Sequence, residues 1–245
     1  MTKQEVLQKC TVEGMVVKLP PGQLDRKIYV EVKKALELIG GKWKGNKIAG
    51  FIFSSDPADL LNQISRGEKR NLKKEFQFFE TPSELADRLV VLADINPFHT
   101  ILEPSAGQGA IIEAVERKLG IGEGTILAIE LMDVNCSILK KKGYHPEQGD
   151  FLTIPNQPIY DRIIANPPFS KNQDIDHIRR MFELLKLGGK IVSVASNHWK
   201  DSSNKKETKF RSWLKDLNAE VLEIEAGTFK KSGTNISACI IIINK

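Results

Sequence analysis

Two hydrophobic rhythms alternate from residue 76 to the last residue, 245. Strands are expected at 99–103, 125–130, 144–149, 161–165, 189–195, 220–225 and 236–243. Near 82–93, 109–119, 133–142, 174–187 and 205–218, apolar residues instead recur three and four apart, the spacing of an amphipathic helix. Leu85, Leu89 and Leu92 mark the first of these helices; Ile111, Ile112, Val115 and Leu119 mark the second. Strands alternating with helices predict an α/β fold: a doubly wound, mostly parallel, seven-stranded sheet. The longest apolar run, Ile240-Ile241-Ile242-Ile243, has strand length and falls far short of the roughly 20 residues a membrane helix needs.

Residues 1–75 have a different texture. Leu24, Ile28, Val32, Ala35, Leu36 and Ile39 predict a helix over 22–39, stopped by Gly40-Gly41. Lys42-Trp43-Lys44 and the run 48–53 flank Gly45-Asn46-Lys47, which predicts a short hairpin with a basic tip. A further helix is expected over 56–64 and a basic linker over 66–74. The expected division is a small α+β module, 1–75, followed by the main domain, 76–245. Charge sharpens this division: 1–75 hold 15 Lys/Arg and 9 Asp/Glu, whereas 76–245 hold 21 and 22. A winged module laying Trp43, Lys44 and Lys47 on a nucleic acid fits this excess, and so does a plain solvated surface with Trp43 in its own core.

Cysteine and histidine usage excludes other chemistry. Cys10, Cys136 and Cys239 are odd in number, widely separated and without a Cys-x-x-Cys pair. No disulfide and no metal is expected, and the four dispersed histidines offer no ligand spacing. The first five residues lack the apolar core of a signal peptide, so a cytoplasmic location and no membrane association are expected.

The candidate chemistry centres on Asn166-Pro167-Pro168-Phe169, directly after the apolar run 162–165. Asn166 offers an amide oxygen as acceptor. The prolines fix φ and donate nothing, so the Pro167 carbonyl can be held rigidly. Phe169 offers a flat apolar face for a planar ring. Two acceptors beside an aromatic platform suit a planar amine that must be oriented. Upstream, 101–109 reads as a strand entering the turn Glu103-Pro104-Ser105-Ala106-Gly107-Gln108-Gly109 and then a helix, the unit that binds nucleosides in open α/β sheets. Gly107 and Gly109 can take positive φ there. Glu130 ends the next strand about twenty residues on, the place of an acid that holds ribose hydroxyls. Gly149-Asp150-Phe151 adds an acceptor for an adenine amine beside an aromatic ring, Phe151 fitting the core as well as a cofactor face.

The ordered set resembles the class I S-adenosylmethionine-dependent methyltransferases, specifically those that modify the exocyclic amine of adenine. The resemblance covers roughly residues 76–245. It implies S-adenosylmethionine as cofactor, held by Glu103, Pro104, Ser105, Ala106, Gly107, Gly109, Glu130, Asp150, Phe151 and Asn166. It implies that Phe79, Thr81 and Pro82, in Phe79-Glu80-Thr81-Pro82, close over the methionine end. Asn166, Pro167, Pro168 and Phe169 would carry catalysis on an adenine flipped out of DNA. Residues 227–235 would line the base pocket, with Phe229 a second stacking face; an ordinary hairpin loop fits nearly as well. The polar stretch 197–206, expected to be mobile, would contact phosphates through Lys200 and Lys205, or be a plain exposed loop. Many relatives of this subgroup carry a long recognition region after the last strand, whereas this sequence stops at Lys245. Sequence reading would then fall to residues 1–75, to loops or to a partner subunit. Similar motifs also serve RNA bases and release-factor glutamines, and a nucleic-acid-binding protein without turnover is a further alternative.

Overall fold

A computed structural model describes residues 1–45, 48–53, 56–68, 70, 81–120, 126–229 and 236–245. The chain forms two compact units, Met1–Gln77 and Phe78–Lys245.

The first unit runs α1 (Lys3–Gln8), β1 (Thr11–Glu13), β2 (Val16–Lys18), α2 (Arg26–Leu38), β3 (Lys42–Lys44), β4 (Gly50–Ile52) and α3 (Ala58–Ser65). Asp25 sets the start of α2 by accepting from the amides of Lys27 and Ile28, so the helix begins four residues later than its apolar pattern suggests. The expected hairpin is present as β3 and β4, but it is half of a four-stranded antiparallel sheet ordered β1-β2-β4-β3. Strands β1 and β2 escape sequence reading because each is only three residues long. Val6, Leu7, Val17, Val32, Leu36, Phe51, Leu61 and Ile64 form the core. Trp43 stays 39% exposed and meets Phe51, its cross-strand partner, edge-on at 5.1 Å. Lys44 is exposed, and Lys47 lies outside the described residues.

In the second unit the order is α4 (Ser83–Ala93), β5 (Ile101–Glu103), α5 (Ala110–Leu119), β6 (Ile126–Glu130), α6 (Asp133–Lys141), β7 (Glu147–Gln148), β8 (Tyr160–Ala165), α7 (Gln173–Leu184), β9 (Leu185–Ser196), α8 (His198–Asp201), α9 (Lys205–Asp216), β10 (Glu220–Glu223) and β11 (Ala238–Asn244). The sheet order is β10-β11-β9-β8-β5-β6-β7, parallel throughout except that β11 runs against both its neighbours. This is the expected α/β architecture. Period-two alternation sends the central strands' side chains into two cores. Ile163, Ile191, Cys239, Ile241 and Ile243 face α7 and α9, while Ile164, Val192, Ile240 and Ile242 face α4 and α5. The four consecutive isoleucines are therefore two per face of a strand covered on both sides.

Two expectations need correction. The helix predicted over 174–187 ends at Leu184, because Leu185 is taken into β9 as the partner of Tyr160. The stretch 197–206 is not a free loop: it contains α8, anchored by Trp199, which is buried against Phe210 with ring centroids 5.4 Å apart. Arg211 fastens it further by donating to the carbonyls of Trp199 and Ser202. An indole in the core outweighs the polar residues around it, and their exposed side chains are what the sequence pattern registers. No helix among the described residues is long and apolar enough to cross a membrane.

Candidate active site

The C-terminal ends of β7, β6, β5 and β8 lie side by side and bring together Asp150, Glu130, the 103–109 turn and Asn166. From β5 the chain steps outward through β6 and β7 and then returns to β8 on the other side of β5, so the crevice between the 103–109 turn and Asn166 is the sheet's switch point, where open α/β sheets take ligands.

The 103–109 turn is tied to β6 from two directions. Ala106 donates its amide to the Ile129 carbonyl, and Gly107 donates to Glu130 Oε2 at 2.7 Å. Glu130 Oε1 accepts from the Met132 amide at 2.7 Å. Glu130 thus holds the turn in shape while each carboxylate oxygen keeps a second lone pair. Its pKa is raised, chiefly by burial, against the pull of those amides. Gly107 and Gly109 adopt φ of 56° and 93° as the turn requires. At Gly109 a Cβ would also lie 2.9 Å from Leu139 Cδ2 of α6, so Leu139 would have to shift to admit one.

Glu103 is buried, and its Oε2 has no hydrogen-bond partner among the described residues. Burial pushes its carboxyl well above the usual range, the charge of Glu130 adds to this, and the Ile112 amide opposes it. Pro104 and Ala106 are buried around it, and Ser105 is half-buried.

Across the crevice, Asn166 Nδ2 donates to Thr81 Oγ1 at 3.0 Å, linking the end of β8 to the residue two before α4. This bond anchors the amide group against Thr81 at the mouth of the crevice. Thr81, Pro82, Asn166, Pro168 and Phe169 are half-buried and Pro167 is buried; Phe169 rests partly against the core beneath α4. Phe79 lies outside the described residues.

Asp150 is exposed and caps the short turn after it by accepting from the Leu152 amide. Phe151 is a core residue, 2% exposed, with its ring 5.3 Å from that of His177. Its expected place beside a cofactor is corrected accordingly: three residues past the end of β7, the ring turns into the core under α7. Phe229 is likewise corrected. It is 2% exposed among Leu85, Leu89 and Ile240, so it presents no stacking face. Lys200 pairs with Glu223, while Lys205 is exposed at the start of α9.

Sequence reading missed three polar residues beneath the crevice: His177, Asp174 and Ser196. His177 Nδ1 lies 3.4 Å from Ser105 Oγ, so one imidazole connects the 103–109 turn, Phe151 and α7. Asp174 and His177 fall on the buried face of α7 with Ile175, Ile178, Met181 and Leu184. Polar residues at core positions of a helix were the available signal. Among the described residues no group of three His, Cys, Asp or Glu is placed to hold a metal ion.

The buried His177 has a thermodynamic signature. Burial lowers its pKa to about 4, against weaker opposing effects of Asp150 and Asp176. The unfolded chain therefore takes up this proton first as pH falls. Its contribution is intact above about 6.5 and is lost on the way down to about 4, a drop of about 3 kcal/mol. Denaturant unfolding of wild type and H177Q at pH 7 and pH 4 should show this: the variant loses about 3 kcal/mol less across the interval. Equal losses would mean that the imidazole protonates freely in the folded state.

No protein-family model matches the chain. Over 110 residues it is 31% identical to a Methanosarcina acetivorans protein described as a probable ribosomal RNA small subunit methyltransferase A, covering 43% of this chain and 37% of that one. A Methanosarcina mazei protein of the same description is 29% identical over 115 residues, 44% and 41% of the two chains. The chain thus spans about two-fifths of these curated relatives. Among solved structures, the M protein of the type I restriction enzyme EcoKI superposes with a TM-score of 0.59 at 13% identity, over 99% of this chain and 56% of that one. A modification subunit of a type I restriction enzyme from Vibrio vulnificus gives 0.57 at 16% identity, over 91% and 54%. A Listeria monocytogenes protein described as a class I S-adenosylmethionine-dependent methyltransferase gives 0.52 at 15% identity, over 77% and 66%. With the strand order and the crevice described above, these superpositions give the chain the fold of the class I S-adenosylmethionine-dependent methyltransferases.

Proposed function

We propose that this chain is an S-adenosylmethionine-dependent methyltransferase acting on the exocyclic 6-amine of adenine in a nucleic acid, with DNA the favoured polymer. The observation that carries the proposal is the hydrogen bond from Asn166 to Thr81 at the end of β8, facing the 103–109 turn. It orients a neutral amide beside a rigid Pro167 and a half-exposed Phe169 at the sheet's switch point.

The residues present fit the cofactor. Glu103 Oε2, buried and without a partner among the described residues, is an acceptor suited to the positively charged methionine end. Glu130 and Asp150 retain lone pairs for the ribose and the adenine amine. When bound, S-adenosylmethionine supplies an electrophilic sulfonium methyl group.

This chain's residues then prepare the acceptor nitrogen. The 6-amine of adenine is a poor nucleophile because its lone pair is delocalised into the ring. Asn166 Oδ1 and the Pro167 carbonyl accept its two hydrogens and draw the nitrogen toward tetrahedral geometry. Phe169 stacks on the flipped ring and fixes its plane. Holding the nucleophile in line with the methyl group supplies much of the remaining acceleration. Neither acceptor is a base at neutral pH, so the surplus proton on the product nitrogen leaves to water. In this reading Trp43, Lys44, Lys47 and Lys205 contact the polymer. Lys200 can join them only by releasing Glu223.

DNA is supported by the restriction-system modification subunits that share the fold. The 31% identity to a ribosomal RNA methyltransferase supports RNA adenine as the second reading. Labelled S-adenosylmethionine offered with unmethylated duplex DNA, single-stranded DNA and RNA separates them. Label on adenine N6 of DNA is expected; label confined to RNA moves the activity to the second reading. No detectable cofactor binding by calorimetry would end both and leave a nucleic-acid-binding protein.

A further inference from the structure

Asp174 is 0% exposed although it lies in the first turn of α7, where an acidic residue ordinarily serves the helix end from the surface. Its Oδ2 accepts two hydrogen bonds from one residue, the amide of Ser196 at 2.9 Å and the hydroxyl of Ser196 at 2.8 Å. Ser196 is the last residue of β9, the strand beside the candidate catalytic segment.

The sheet register shows what this contact displaces. Ala165 is level with Ser193, so a continued register puts Pro168 level with Ser196. Asn197 donates its amide to Ser237 in the direction of β11. By alternation the Ser196 amide points the other way, toward the extension of β8. In a continuing parallel ladder that amide would bond the carbonyl one residue before its level partner, which is Pro167. The amide goes to Asp174 instead, and no described residue donates to the Pro167 carbonyl. The chain between the two strands is held in this path at more than one point. Lys171 and Asn172 both take left-handed φ (52° and 58°), and Asn172 is fastened to Glu207 at 2.8 Å.

We propose that Asp174 is a positioning residue for methyl transfer, its carboxylate taking the Ser196 amide so that the Pro167 carbonyl stays open to the target amine. The inference rests on the adenine-methylating reading above. It assigns a role to a residue that touches neither cofactor nor base and acts through Ser196 and Pro167. Burial raises the pKa of Asp174, and the amide and hydroxyl of Ser196 oppose that rise.

The test compares D174A and D174N with wild type on the wild-type polymer substrate, measuring kcat, the calorimetric Kd for S-adenosylmethionine and the melting temperature. D174A frees the Ser196 amide to take the Pro167 carbonyl. Its kcat is expected to fall at least about tenfold with cofactor Kd within about threefold. D174N keeps an acceptor oxygen for Ser196, so its kcat should stay within about threefold of wild type. Its melting temperature should drop, since a buried NH2 replaces Oδ1, which has no partner among the described residues. A merely structural Asp174 would make kcat follow stability across both variants, and that pattern overturns the proposal. So does D174A with wild-type kcat. D174S, too short to reach Ser196, replaces D174A if the alanine variant does not fold. A wild-type protein that binds cofactor yet methylates no adenine overturns the parent reading and the clamp with it, a result distinct from failure of the clamp alone.

Discussion

Asn166→Ala is expected to lower kcat by about 10²–10³-fold while changing the Kd for S-adenosylmethionine by less than about threefold. The size follows from removing one preorganised polar group that acts where charge develops in the transition state, about 2.7–4 kcal/mol in comparable sites. The asymmetry follows from placement. The groups suited to the cofactor lie on the 103–109 turn, Glu130 and Asp150, which are held by their own hydrogen bonds to β6 and the following turn. Asn166 is held from the opposite side, by Thr81. Cutting it to alanine therefore removes an acceptor for the amine and leaves the turn standing. The measurement is single-turnover methyl transfer at saturating cofactor, paired with calorimetric titration. Similar losses in both would make Asn166 a cofactor ligand first, and the catalytic assignment would pass to Pro167 alone.

Much of this arrangement is legible in the sequence because it rests on local rules. Alternating strand and helix patterns place β5, β6, β8 and their turns correctly, and the prolines at 167 and 168 end β8 by withholding amide donors. What stayed hidden depends on the chain's return path. The helical stripe puts Asp174 and His177 on the buried face of α7, but that Asp174 there meets Ser196 of β9 is set by how the helix packs on the sheet, which no local pattern encodes. The short strands β1 and β2 are equally silent, since three residues cannot establish an alternation. Trp199 shows the reverse case: a polar neighbourhood reads as a loop, yet one indole against Phe210 suffices to fold it down.

Phe229→Ala should cost about 3–5 kcal/mol of stability, the range for removing a buried aromatic ring. The sequence places Phe229 beside a loop of small and polar residues, 227–235, where a ring invites the role of a stacking platform. In the structure the ring is 2% exposed and packs with Leu85 and Leu89 of α4 and Ile240 of β11. Its energy is therefore spent in joining α4 to the sheet. The same helix begins two residues after Thr81, the partner of Asn166, so the ring supports the catalytic amide through α4 rather than by touching a base. Urea unfolding measures the first consequence, and Phe229→Leu, which refills most of the volume, should recover more than half of the loss. Polymer affinity measured at a temperature where both proteins are folded decides the second. A stacking residue would lose about 1–3 kcal/mol of binding when truncated. Phe229→Ala is expected to lose less than that while losing stability, and a variant that keeps its stability but binds the polymer weakly would return Phe229 to the base pocket.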